Sequence, residues 1–239
     1  GFAARELILT PDQIILGEPV NGAAPQSMME FEGTALQYEE TRSLDVAEAL
    51  NFQNTSSIGS LTNVYLAPNQ DIYSFDESGA LSTYVRAQAS SAQAQSADST
   101  LEELTPMEAA IAAAGEMGVS VTADMEEFSD TTAGGGFTAV FRAGKAEPID
   151  DRYIITLDEY NNLKSFVAQR SGIDSMDEVD VDYFDGLLED YCEEQGLQPT
   201  DADVTYRRYG STIAALYSVT LTDEAGGVWV ESFSFADVR

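Results

Sequence analysis

The chain has 239 residues, 44% of them hydrophobic and 10% aromatic, which excludes a disordered chain and is enough to bury one large core or two of ordinary size. Eleven basic against 42 acidic residues give a net charge of −31, which argues against binding a nucleic-acid backbone or an anionic membrane surface, since both need Lys and Arg to neutralise phosphate. Histidine is absent and cysteine occurs once, at Cys192, so Ser-His-Asp and Cys-His catalysis, an intramolecular disulfide and Cys-based zinc clusters are excluded together.

Residues 6–40 mix short β-type runs with breakers. Leu7, Ile8 and Leu9 stop at Pro11, and Ile14, Ile15 and Leu16 stop at Gly17 and Pro19. NGAAPQ (21–26) reads as a loop, and SMMEFEGTALQYE (27–39) as one or two strands. Ser43 is then placed to cap a short helix, LDVAEAL, with Leu44, Ala47 and Leu50 at helical spacing. LTNVYLAP and the hairpin DIYSFDESGALSTYVRAQ (71–88) complete a helix followed by three strands. Residues 87–100, AQASSAQAQSADST, hold one charge and no large apolar side chain. They read as a solvated linker, open to proteases, or alternatively as a polar helix.

The second half restarts at Thr105, which can cap a helix with Pro106 at its first position and Glu108 completing a capping box. Its body, MEAAIAAAGEMG, is rich in small residues, and Gly118 is its expected stop. DMEEFSDTTAGGG reads as an acidic loop, FTAVFRAG as a strand, and DRYIITLDEYNNLKSFVAQ as a second hairpin. A third helix carries the stripe Phe184, Leu187, Leu188 and Tyr191 and ends at Gly196 and Pro199. DVTYRRY, AALYSVTLT and GVWVESFSF then read as three strands.

The two hairpins form an internal repeat. Aligned without gaps, Asp76, Glu77, Leu81 and Val85 fall on Asp158, Glu159, Leu163 and Val167, Phe75 on Leu157, and Tyr84 on Phe166. Gly79 falls on Asn161, the two residue types that enter the left-handed region most cheaply, so both are expected at positive φ. The turn TDEAGG (222–227) repeats the same Asp-Glu-x-Gly chemistry.

Helix followed by an antiparallel meander, opened by TPMEAAIAAA and continued by FRAGKAEPIDDRYIITLDEYNNLKSF, resembles the PepSY domain and the related YcdB/YcdC-type repeats of secreted bacterial proteins. The likeness is clearest over residues 105–172, fair over 43–86, and departs at Asn161, where such domains usually carry Gly. It implies an extracytoplasmic, non-catalytic module, in some cases linked to peptidase inhibition or envelope regulation. It transfers no functional residues, because the matched positions belong to turns and core.

Few side chains carry chemistry. Cys192 lies beside the apolar stripe of its helix amid Glu189, Asp190, Glu193 and Glu194, and acidic neighbours make a thiol a poor nucleophile. Lys145 and Lys164, the two lysines, lack the apolar setting of a Schiff-base amine. Gly134, Gly135 and Gly136 precede a strand, not a helix, and so form no phosphate loop. With so many acids, carboxylate pairs arise by chance, and Asp76-Glu77 and Asp158-Glu159 are explained by turn formation. The acidic run from Asp174 to Glu194 invites calcium, but EF-hand spacing fails at Phe184, and acids at a helix start also complement its dipole. Arg207 and Arg208, beside Tyr206 and Tyr209, are placed to receive a carboxylate, to stack on a partner or to neutralise this acidic helix.

The sequence therefore predicts an α+β fold of tandem helix-plus-three-strand units: an N-terminal lobe (1–88), a linker (89–100) and a C-terminal lobe (101–239), the last divisible into 101–172 and 173–239. The expected function is a non-catalytic extracytoplasmic binding module of a bacterial surface or secreted protein, whose leader or anchor lies outside this sequence. A peptidase inhibitor or propeptide-like regulator is the first alternative and a carboxylate-dependent hydrolase the second. No catalytic, cofactor or tight metal site is assigned, and the expected partner is a protein or peptide, with neither nucleic acid nor membrane insertion.

Overall fold

The structure is a computed structural model describing residues 27–87, 104–143, 148–223 and 225–239, with the backbone of 18–20. Alternating apolar residues make strands of both repeated hairpins: β5 (Ile72–Phe75) with β6 (Leu81–Val85), and β9 (Asp151–Leu157) with β10 (Leu163–Gln169). β6 and β10 then pair antiparallel with Tyr84 opposite Phe166, flanked by Val85 opposite Ser165 and Thr83 opposite Val167. Tyr84 and Phe166 are the positions that the gapless sequence alignment of the two hairpins matches, so this register is locally symmetric about that pair. The two hairpins meet edge to edge along their second strands.

Strands are added outward from this seam. On one side β5 is followed by β4 (Gly59–Leu66) and β3 (Thr34–Asp45), and on the other β9 is followed by β8 (Phe137–Ala143) and β7 (Glu126–Thr131). The outer side of β3 is shared by β1 (Glu18–Val20) and β2 (Met28–Phe31), which completes a ten-stranded antiparallel sheet. β11 (Gln198–Tyr209), β12 (Thr212–Thr222) and β13 (Val228–Ala236) form a separate three-stranded meander.

The expected α+β fold of helix-plus-three-strand units is corrected by these strands. Of the described residues, 48% are in strands and 19% are helical. The helix read over residues 44–50 is one turn, α1 (Val46–Ala49), because Leu44 and Asp45 extend β3 opposite Ser60 and Gly59. Asp45, not Ser43, caps it, and Asn51 at φ 52° ends it. The acidic loop read over 124–136 is a 3-10 turn (Ala123–Met125) and strand β7, which pairs along β8. α2 (Pro106–Glu116) has its full capping box, and α3 (Val181–Gln195) ends at Gly196 in the left-handed region. No helix among the described residues is long and apolar enough to cross a membrane.

One face of the large sheet gathers Tyr65, Phe75, Tyr84, Phe141, Ile155 and Phe166 into a single apolar cluster, and α2 covers it over β8, β9 and β10, where its buried Ala109, Ala110, Ala113 and Ala114 let the helix lie close. The β2 hairpin covers the rest, with Phe31 edge-on to Phe75 at 5.6 Å between ring centroids. The opposite face meets the small sheet across α1: Val46, Ala47, Phe52 and Ile58 pack on Ala214, Leu216 and Ala236. The far side of the small sheet buries Tyr206, Tyr217, Phe233 and Phe235 under Phe184, Leu188 and Cys192 of α3.

Three hairpin turns share one geometry. In each, an aspartate oxygen accepts the amides two and four residues on: Asp76 from Ser78 and Ala80, Asp158 from Tyr160 and Asn162, Asp223 from Ala225 and Gly227. The residue three on from each aspartate has positive φ: Gly79 at 84°, Asn161 at 61° and Gly226 at 82°. The residues read as a linker (89–100) lie outside those described, as do 1–17. Among the described residues, the large sheet runs from the first half of the chain into the second.

Because both halves share this sheet, Phe166→Ala is expected to cost about 3–5 kcal/mol and to lower the denaturation midpoint of the whole molecule. Far-ultraviolet circular dichroism and fluorescence of Trp229, the single tryptophan, should report the same shifted transition. Separate transitions would mean that the halves fold independently.

Candidate functional site

The residues singled out in the sequence are mostly consumed by the fold. Cys192 is buried on the inner face of α3, where burial first and then the charge of Glu231 push its thiol pKa up, so it is a poor nucleophile. In the acidic run, Asp180 caps α3 through the Tyr183 amide (3.0 Å) and accepts from Arg239 Nη1 (2.7 Å). Glu178 accepts the amides of Asp174 and Ser175 and pairs with Arg208 Nη2 at 2.6 Å. Asp185 accepts from the Tyr217 hydroxyl at 2.8 Å. Among the described residues no three potential ligands converge on one point. Arg208 thus neutralises part of the acidic segment, whereas Arg207 is buried elsewhere. Lys145 lies outside the described residues.

A cleft of about 660 Å³ opens between the turn after β7 and the turn after β9, lined by Arg86, Thr132, Asp158, Tyr160 and Lys164. Its central acid is already committed. Burial alone would raise the Asp158 pKa, but Arg86 Nη2 at 2.8 Å and the amides of Asn162 and Tyr160 hold it below the ordinary carboxylate value. Asp158 is therefore an ionised structural brace. Glu77, the partner acid of the first repeat, likewise accepts the Leu61 amide at 2.9 Å.

The feature that the fold leaves unspent is a strand edge. Every open sheet needs protection at its outermost strands, because their unpaired N–H and C=O groups can recruit another chain. β7 carries exposed Glu126, Glu127 and Asp130, and the outer part of β11 carries exposed Pro199, Asp201 and Asp203. Both devices are typical edge protection. β13 differs. Val228, Trp229 and Val230 are 66%, 38% and 55% exposed and stand opposite Thr222, Leu221 and Thr220 of β12.

The remainder of this edge shows what it can accept. At Ser234 the segment after α1 adds alongside β13 in parallel, through the Phe52–Ser234 bridge and the Gln53 amide donating to the Ser234 carbonyl at 2.8 Å. Asn54 grips Ala236 from both sides, its Nδ2 donating to the carbonyl and its Oδ1 accepting from the amide. Among the described residues, nothing pairs with the same edge from Val228 to Ser232. No family model matches the chain, and no curated protein or solved structure matches it. Sequence reading identified GVWVESFSF as a strand but not its edge. The available signal was three consecutive apolar residues, since a strand buried on one face alternates.

The brace at Asp158 has a definite pH signature. Its lowered folded pKa means that the ionised form adds stability above the unfolded value, and that this stability is lost as pH falls through the folded pKa. Asp158→Asn is expected to be less stable at neutral pH by about 1–2 kcal/mol. The gap to wild type should narrow as the solution is acidified below about pH 4. Urea melts of both proteins across that range test this, and a gap that stays constant or widens would show that Asp158 is not the ionised partner.

Proposed function

We propose that this protein is a non-catalytic, extracytoplasmic binding module that takes up an extended segment of a protein partner along the free edge of β13. The supporting observation is the contrast between edges: β7 and β11 carry charge and proline, and β13 carries Val228, Trp229 and Val230. An added strand would draw affinity from main-chain hydrogen bonds and selectivity from alternate side chains. Trp229 lies on the α3 side next to Leu221, and Val228 and Val230 lie on the other face, so the partner's apolar residues can pack on either side. A net charge of −31 favours basic or neutral segments and repels acidic ones. The extracytoplasmic placement rests on the acidic, cysteine-poor composition and on the resemblance to secreted bacterial repeats.

Selection of displayed peptides on the immobilised protein, followed by calorimetry of the enriched sequences, tests the reading. Binding should fall by about tenfold or more in Val228→Lys/Val230→Lys, with folding stability changed by no more than about 0.5 kcal/mol. Equal affinity in the double variant, or no enrichment, would overturn it. Concentration-dependent dimerisation abolished by the same variant would instead assign the edge to a second copy of the chain.

A further inference from the structure

The free stretch of β13 has a defined register. A strand residue directs its own N–H and C=O to one side, and its neighbours direct theirs to the other. The Ser234 carbonyl accepts the Gln53 amide at 2.8 Å, and Asn54 holds both backbone groups of Ala236, so the even-numbered residues of β13 address the outer side. The odd-numbered positions turn toward β12 and its hairpin turn. The Gly227 carbonyl accepts the Asp223 amide at 3.0 Å, and the Asp237 amide donates to the Ile213 carbonyl at 2.8 Å. Val228, Val230 and Ser232 therefore present the N–H and C=O groups that no strand among the described residues uses. The turn at Gly226 closes one end of this opening, and Phe52 beside Ser234 closes the other. A segment of about five residues spans it.

The two faces of the opening differ in chemistry. Val228 and Val230 lie opposite Thr222 and Thr220, on the face away from α3. Trp229 and Glu231 lie opposite Leu221 and Val219, which belong to the core under α3. Glu231 is exposed, and among the described residues its carboxylate has one hydrogen bond, from Trp229 Nε1 at 3.3 Å, and no ion pair. α3 passes close by, with the Tyr191 and Phe233 ring centroids 4.9 Å apart. Its last turn carries exposed Glu193 and Glu194 and no basic residue, although the carboxyl end of a helix favours cations. The α3 side of the edge is thus negative without a counter-cation among the described residues, whereas the other side is apolar.

We propose that the β13 edge selects a segment of about five residues in which Lys or Arg alternates with β-branched apolar residues. This rests on the edge-binding reading and adds its register and its preferred side chains. Side chains of an added strand alternate between faces whichever way it runs. Those beside Val228 and Val230 pack on valine. Those beside Trp229 and Glu231 fall on the acidic side, where a cation can pair with Glu231 and lie over the indole ring. The strand edge is the site, and the acids set what it prefers.

Fluorescence of Trp229, the single tryptophan and part of the edge itself, reports binding of a defined probe. Blocked synthetic peptides with the centre Val-X-Val-X-Val, X being Lys, Gln or Glu, are titrated into the full chain at about 0.15 M ionic strength. The Lys peptide should bind about tenfold more tightly than the Glu peptide, with the Gln peptide between them. Glu231→Lys should cut that ratio by about fivefold or more. Asp130→Lys makes the same charge change at an exposed position on the outermost strand of the other sheet and should leave the ratio unchanged. An equal fall in both variants would overturn the proposal, because bulk charge would then suffice. Equal affinity for all three peptides, lost in Val228→Lys/Val230→Lys, would overturn the selectivity and leave the edge reading standing. No binding of any peptide would also overturn the proposal, and the display selection then decides separately whether the edge takes a strand at all.

Discussion

The antiparallel pairing of β6 with β10 is the interaction on which the rest of the structure depends. Each repeated hairpin alone would expose one long apolar strand edge, and two-stranded hairpins are marginal in water. Joining them removes both edges and creates one sheet face wide enough for α2 to cover. The seam is reinforced at both ends. The Tyr84 hydroxyl donates to buried Asp71 at 2.7 Å, and the same carboxylate accepts the Ala87 amide at 2.8 Å, fixing the end of β6. Arg86 reaches from the first copy to Asp158 in the turn of the second, and Arg170 reaches back from the second copy to the Leu81 carbonyl. The two arginines do not match in the alignment of the hairpins, so the strand pairing is symmetric across the seam while its arginine braces are not.

Local features of this architecture were legible because local chemistry decides them. An aspartate folding over its own turn with Gly or Asn three residues later fixes each hairpin tip, whatever surrounds it. Thr105, Pro106 and Glu108 fix the start of α2 in the same way. The likeness of the two hairpin sequences was visible too, but it does not say how the hairpins meet. Their pairing depends on contacts distant in sequence. β7 was missed because Glu126, Glu127 and Asp130 give it the charge that an outermost strand needs and no apolar alternation. α1 was overextended because Leu44 fits a helical stripe, yet β4 offered a ladder partner first.

The same division holds for function. Absence of histidine and isolation of Cys192 could be read directly, but the exposure of Val228, Trp229 and Val230 could not. A strand's exposure follows from which strands end without a neighbour, and that is a property of the whole topology. Likewise Arg207 and Arg208 look alike in sequence, but alternation along β11 sends Arg208 to Glu178 and Arg207 into the space between the sheets. Among the described residues many of the acids are structural: they cap helices, close turns and guard edges. Against that background the apolar edge of β13 is the feature that the fold does not itself require.

The central claim is that the two hairpins join into one sheet through equivalent residues, and cross-strand proton contacts in solution test it most directly. Nuclear Overhauser effects on isotope-labelled protein should connect Tyr84 with Phe166, Thr83 with Val167 and Val85 with Ser165, with β6 and β10 amides sharing one level of exchange protection. Absence of these contacts, with β6 amides exchanging as rapidly as those of an exposed edge, would contradict the account.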